Sequence, residues 1–232
     1  MLAFFGQPIF RATSIDATPV GYELFIREKL GKNWVTPSSF NSIQSSDVEA
    51  LLSNTIFHID TQSLSINLEP CQFINLDFIS MLTRIQQQTT IKLIVELTER
   101  SDDDIQLEDI VTAAKTYYQN NLHVSIDDIG TGANTAKLIS RINNYIYEYK
   151  FAVQNFRPLY SLASITPVID VWYDMKKRYN KKFTFEGIEN RTEFNLLKAK
   201  YDFDTVQGYY TGKPELLSHS IIDRNIDYDK SV

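Results

Sequence analysis

One cysteine, Cys71, stands in 232 residues, so no intrachain disulfide can form and a thiolate metal site is excluded. Histidine is almost as scarce: His58, His123 and His219 lie far apart in the sequence. No apolar run is long enough to span a bilayer, and the opening Met-Leu-Ala-Phe-Phe lacks a basic leader region, which predicts a cytoplasmic chain without membrane insertion. There is no Pro-, Gly- or Ser-rich linker and no low-complexity tract, so 1–232 reads as a single domain. Basic residues are outnumbered, 23 against 29 acidic, for a net charge of −6 and a pI near 5.1. That balance argues against a broad surface for a DNA or RNA polymer. A smaller anionic ligand stays open, because bound divalent cations reverse the field of carboxylates around them.

With 43% hydrophobic residues the chain can bury a substantial core, and its most informative feature is polar. Asp127-Asp128 follows the apolar run Val124-Ser-Ile126 and enters a loop with Gly130 and Gly132. Adjacent anions at a strand end repel each other and resist burial, so a shared cation is the economical reason to keep both. A solvated acidic turn capping the next helix is the plainer reading of an isolated pair. The same design recurs, however, in Gly21–Arg27, Ser65–Asn67, Leu93–Glu99, Tyr147–Lys150, Phe183–Glu189 and Val206–Tyr210. In each, strand-forming residues end in a carboxylate, amide or lysine, and amphipathic helical stretches separate most of them. Repeated β-α units predict a closed parallel barrel, whose strand C-termini gather residues remote in sequence into one site.

Helix signals lie between these segments. Ser46 with Glu49 and Asn190 with Glu193 have capping-box spacing, and Thr166-Pro167 reads as a cap followed by first-turn proline. Apolar stripes at Ile110, Val111, Ala114, Tyr117 and Tyr118, and at Val168, Ile169, Val171, Trp172 and Met175, read as packing faces. The Lys176-Lys177-Arg178 and Lys181-Lys182 cluster reads as a solvated helix end.

The ordered motifs resemble the EAL domain, the bacterial cyclic di-GMP phosphodiesterase family. Glu23-Leu24-Phe25 with Arg27 stands for the name signature, followed by Asn67 in Ile-Asn-Leu, Glu96 and Glu99 in Glu-Leu-Thr-Glu, and Asp127-Asp128-Ile-Gly-Thr-Gly. Lys150, Glu186-Gly-Ile-Glu189 and Gln207-Gly-Tyr-Tyr complete the series, and Gln7-Pro8-Ile9 fits the opening strand. The motifs span about 4–215, leaving 216–232 as a C-terminal helix or tail. The resemblance implies a TIM-like (β/α)8 barrel with an early strand departing from the all-parallel arrangement. It implies hydrolysis of cyclic di-GMP to linear pGpG with two divalent cations, Mg²⁺ or Mn²⁺. Glu23, Asn67, Glu96, Asp127, Asp128 and Glu186 would be the metal ligands, with Lys150, Glu23, Asp127 and Glu186 catalytic. Gln7, Arg27, Gln207 and Glu189 would bind substrate, Glu99 would anchor the loop after Asp128, and a homodimer is possible. No regulatory partner is indicated.

Three departures qualify the resemblance. Leu24-Phe25 replaces Ala-Leu, and Ala133-Asn134-Thr135 follows Gly132 where the family has an aromatic and serines. Ala152 stands where an aspartate usually follows the catalytic lysine by two residues. The alternative reading is a catalytically weak or inactive module that binds cyclic di-GMP or a protein and signals by occupancy.

Overall fold

A computed structural model describes residues 1–157 and 159–223. In chain order the elements are β1 (Leu2–Arg11), β2 (Gly21–Leu30), β3 (Asn33–Val35), α1 (Ser45–His58), β4 (Ser63–Leu68), α2 (Pro70–Phe73), α3 (Leu76–Gln88), β5 (Lys92–Leu97) and α4 (Leu107–Gln119). There follow β6 (His123–Ile126), α5 (Ala136–Ile142), β7 (Ile146–Ala152), α6 (Leu162–Tyr179), β8 (Lys182–Glu186), α7 (Arg191–Lys200), β9 (Thr205–Val206) and β10 (Glu215–Leu216). Strands β2, β4, β5, β6, β7, β8 and β9 pair in parallel in that order. Strand β1 closes the ring between β9 and β2, antiparallel to both, so the early strand departs from the parallel set as expected. The two short strands are satellites: β3 pairs with β2 and β10 with β1.

Strand alternation sorts side chains between barrel interior and helix layer. On β5, Leu93, Val95 and Leu97 face outward to the helices, while Ile94 and Glu96 face the opposite way; all are buried. The helices supply the matching stripes, with Ile110, Ala113, Ala114 and Tyr117 of α4 and Ile169 and Trp172 of α6 in the core. Val171 and Tyr118, at the edges of those stripes, stay exposed. Among the described residues no helix is long and apolar enough to cross a membrane.

Two helix starts differ from the sequence reading, and a third keeps its cap without closing the box. Helix α1 is capped by Gln44, whose backbone N–H donates to Asp47 at 3.0 Å, and Glu49 pairs with Arg84 at 2.6 Å instead of closing a box with Ser46. Asn190 does accept from the Glu193 N–H at 3.0 Å, but the Glu193 carboxylate accepts from Glu189 one residue upstream. Helix α6 begins at a Ser161 cap, so Pro167 lies inside it and Thr166 bonds back to the Leu162 carbonyl. The proline there costs the N–H that would have met the Ala163 carbonyl and crowds its ring against that same carbonyl. At the C-terminal side, 216–223 form the end of β10, a 3-10 turn over Ser218–Ser220 and a bridge from Ile222 to Leu2; the rest of the expected helix or tail lies outside the described residues.

Candidate functional site

At the strand C-termini the ring narrows onto Lys150. Its Nζ lies 3.1 Å from Glu23 Oε2, 2.5 Å from Glu96 Oε2, 3.3 Å from Asp127 Oδ1 and 2.6 Å from Glu186 Oε1. These groups come from β2, β5, the end of β6, β7 and β8, and they meet because each occupies an inward position at the same height. Burial opposes the lysine's charge, yet Asp127, Glu186, Glu23 and Glu96 outweigh it and hold its pKa well above the ordinary ammonium value. The carboxylates fare differently. Burial, then Glu23, pushes Glu96 well above the carboxylate range; burial raises Glu186 likewise despite Lys150.

Amides complete the floor. Asn67 Nδ2 donates to Glu23 Oε1 at 2.6 Å, and Gln207 Nε2 donates to Glu23 Oε2 at 2.7 Å and to Gln7 Oε1 at 3.0 Å. Gln7 is held in turn through the Gly212 carbonyl at 2.9 Å. As an oxygen ligand Asn67 would have to turn its amide over, because here it offers nitrogen to Glu23. Asp128 sits beside this group on a left-handed backbone, φ 46°, and burial followed by the Asp127 charge pushes its pKa up to about 7. Asx side chains tolerate that conformation better than most, and it turns Asp128 out of the strand direction taken by Asp127.

The expected loop anchor works through an unexpected atom. The Glu99 backbone carbonyl accepts from Ala133 N–H at 2.7 Å, whereas its carboxylate lies with those of Asp127 and Asp128, ligand atoms all within 4.8 Å of one another. Gly132, φ 47°, passes so close that a Cβ there would meet the same Glu99 oxygen at 2.1 Å.

Above the carboxylates opens a cleft of about 460 Å³, lined by Gln7, Glu23, Arg27, Asp127, Asp128, Glu186, Glu189 and Gln207 among others. Asn67, Glu96 and Lys150 lie beneath it. Arg27 lies half-buried over the Phe25 ring at 5.5 Å, donates from Nη1 to the Ile26 carbonyl at 3.0 Å and, among the described residues, makes no ion pair, which leaves its other donors for an anion. Glu189 is already engaged by Arg157 at 2.7 Å, at the cleft mouth. Phe25, Gln154, Tyr209 and Pro214 also line the cleft; Phe25, Tyr209 and Pro214 lie in motif segments that gave them no site role, and Gln154 was not singled out from the sequence. For Gln154 no motif gave a signal, because an amide residue in a connection reads like any surface residue. Glu148, one layer below on β7, was likewise missed: it is buried and accepts from the hydroxyls of Thr184 and Thr205.

The donor set suits hard cations. Carboxylates and amides are oxygen donors, and histidine and cysteine are absent from the cleft. Glu96 Oε1 is buried without a hydrogen-bond partner, Asp127 Oδ1 meets only the Lys150 ammonium at 3.3 Å, and that one ammonium meets four carboxylates, so further positive charge is accommodated there. A (β/α)8-type barrel with one reversed strand and a carboxylate-rich mouth is the class that fold and site define. The chain matches the family model of the EAL domain over residues 2–214, and it belongs to that family.

Comparison with individual proteins agrees on the architecture. A probable cyclic di-GMP phosphodiesterase, PdeD of Escherichia coli (strain K12), is 23% identical over 225 residues, which is 90% of this chain and 41% of that protein. The chain therefore spans about two fifths of that relative's length. The PaMucR phosphodiesterase in complex with c-di-GMP superposes with a TM-score of 0.73 at 19% identity, covering 95% of this chain and 99% of the other. An EAL domain protein from Listeria monocytogenes EGD-e gives 0.74 at 18%, covering 92% and 88%. The Bacillus subtilis YkuI protein, in complex with c-di-GMP and calcium, gives 0.73 at 17%, covering 97% and 58%.

Proposed function

We propose that this chain hydrolyses one phosphodiester bond of cyclic di-GMP to give linear pGpG, using two divalent cations, Mg²⁺ or Mn²⁺. The observation that carries the reading is the excess of buried carboxylates over cations at the barrel mouth, where Lys150 alone faces Glu23, Glu96, Asp127 and Glu186. Such a set is costly to keep for structure alone, since buried like charges repel and desolvate together. The relatives' names supply the substrate: cyclic di-GMP phosphodiesterase for the E. coli relative and bound c-di-GMP for PaMucR and YkuI.

In this reading Glu23, Asn67, Glu96 and Asp127 would hold one cation, and Asp127, Asp128 and Glu186 would hold the other. When bound, the pair supplies a nucleophile at neutral pH and shields the attacking and leaving oxygens of an in-line displacement. The chain's own residues do the rest. Arg27, free of carboxylate partners, takes a phosphate oxygen through its fork of donors and fixes the ester in the cleft. Lys150 keeps its proton and would offer an ammonium to the charge developing on the phosphoryl oxygens. Gln207 and Gln7 hold Glu23 in place, and Glu189 with its Arg157 partner borders the nucleotide at the mouth.

A second reading, a module that binds without hydrolysing, draws on Ala152. It is 2% exposed, shares the Lys150 face of β7 and pairs in register with Glu186, so an acid the resemblance calls for is missing beside a proposed ligand. The test is incubation of purified protein with cyclic di-GMP and Mn²⁺ or Mg²⁺. We expect pGpG to form and its formation to stop on chelation; full turnover in thoroughly demetallated protein contradicts the mechanism, and binding without product favours the second reading.

A further inference from the structure

At the strand N-termini, the end of the barrel opposite the carboxylate mouth, lies a separate cavity of about 360 Å³. Three cations border it: Arg11 at the end of β1, Lys92 at the start of β5 and Lys182 at the start of β8. Both lysines are half-buried, and they converge on one tyrosine. Lys92 Nζ donates to Tyr147 Oη at 3.3 Å and lies 5.0 Å from the ring centre; Lys182 Nζ, 5.1 Å from that centre, contacts the same hydroxyl. Stacking on His123 at 4.2 Å fixes the Tyr147 ring in turn. Burial opposes the Lys182 charge, yet Tyr147, then Glu148 and Asp204, hold its pKa above the ordinary value, so it stays an ammonium.

The charge at this end is incompletely answered. In a chain with more acidic than basic residues, Arg11, Lys92 and Lys182 make no ion pair among the described residues. Three acids share the lining, and two are engaged elsewhere. Asp204 Oδ2 accepts from Phe183 N–H at 3.0 Å and faces Lys176 at 3.5 Å, while Glu148 Oε1 accepts from the Thr205 hydroxyl at 3.4 Å and from that of Thr184. Asp202 is exposed, where water screens it. An ammonium carries three donors, so after Tyr147 each lysine has donors left over, and Arg11 commits only Nη2, to Gln62 Oε1 at 2.9 Å. We propose that this basal cavity binds a phosphate group, free or on a small monoester, between the Lys92 and Lys182 ammoniums with Arg11 as a third donor. Tetrahedral oxygens suit donors arriving from three different strands, and charge-assisted bonds to them relieve the desolvation of half-buried ammoniums. The volume is that of a small-molecule site, so a monoester fits as well as the ion. No lining residue is shared with the carboxylate cleft, and the inference is independent of the reading of that cleft.

The experiment titrates the full chain, without metal or nucleotide, with inorganic phosphate and with ribose 5-phosphate at constant ionic strength, by heteronuclear NMR and calorimetry. We expect saturable binding with shifts centred on Arg11, Lys92, Tyr147 and Lys182. Affinity should fall by about tenfold or more in Lys92→Met and in Lys182→Met, which keep an apolar stem over Tyr147, and should be unchanged in Arg27→Ala. Glu148→Gln keeps an oxygen for the Thr184 and Thr205 hydroxyls while removing a charge, and should tighten binding. Ribose 5-phosphate binding at least as tightly as the ion marks a monoester as the ligand; weaker binding marks free phosphate. Absence of saturable binding, equal competition by chloride, loss only in Arg27→Ala, weaker binding in Glu148→Gln, or indifference to both methionine variants overturns the proposal. Since phosphate binding is read without turnover, failure to hydrolyse cyclic di-GMP leaves it standing.

Discussion

Lys150 takes the place that a cation would otherwise fill, and its removal is correspondingly severe. Lys150→Ala leaves three buried carboxylates and the half-buried Asp127 without their ammonium, and breaking a buried ion network in this way typically costs about 3–5 kcal/mol. We expect a large fall in the melting temperature of the metal-free variant, partly recovered by Mn²⁺, with pGpG formation strongly reduced; a variant as stable and active as the parent would remove the lysine from the site. Asp128 gives the pH dependence. Its folded pKa of about 7 lies above the ordinary value of 3.8, so between those values the folded state holds the extra proton and stability falls as pH rises. Metal-free protein should therefore lose stability from pH 4 to 7, less steeply in Asp128→Asn; identical slopes in calorimetry would contradict the assignment. Ala152→Asp adds a carboxylate opposite Glu186. It should lower stability without metal and tighten Mn²⁺ binding, whereas weaker Mn²⁺ binding would place position 152 outside the ligand network.

The segment from β6 into α5 shows how a short stretch of backbone serves both ligands and packing. Gly132→Ala demands a Cβ 2.1 Å from the Glu99 carbonyl on a left-handed residue, so the Glu99 to Ala133 bond must break. A destabilisation of about 1–3 kcal/mol is expected from the strain, with a larger loss of Mn²⁺ affinity than of fold as Asp127 and Asp128 lose their brace; an unaffected metal affinity would show that the brace is dispensable. Strands were legible in the sequence because each ends an apolar run in a polar group, and Asp127, Glu23 and Lys150 converge as the repetition implied. Helix starts were less legible. Asn190 caps α7 as its chemistry offers, but Ser46 and Thr166 offer the same chemistry and do not cap, Glu49 being taken by Arg84. The Glu99 anchor is a backbone carbonyl, an atom every residue carries, so no side-chain pattern could announce it.

Across the barrel the two ends differ in chemistry. The C-terminal mouth collects carboxylates, while His123 at the other end is half-buried near Lys92 and Lys182, and desolvation followed by those charges brings its pKa down to about 4. Its neutral form is thus favoured by the fold, a contribution present above pH 6.5 and lost as pH falls toward 4, opposite in sign to that of Asp128. The reversed β1 sets Gln7 opposite Glu23 and so joins the first strand to the same site as the last. What remains outside sequence patterning is which loops close over that site: Gln154, Tyr209 and Pro214 reach the cleft only through the course of connections. The measurement that bears most directly on the account compares pGpG production from cyclic di-GMP by the parent chain and by Asp127→Asn, both folded and both with Mn²⁺. The account predicts turnover by the parent and at least a hundredfold less by the variant, about 2.7 kcal/mol or more of lost transition-state stabilisation; equal turnover, or none by the parent, would contradict it.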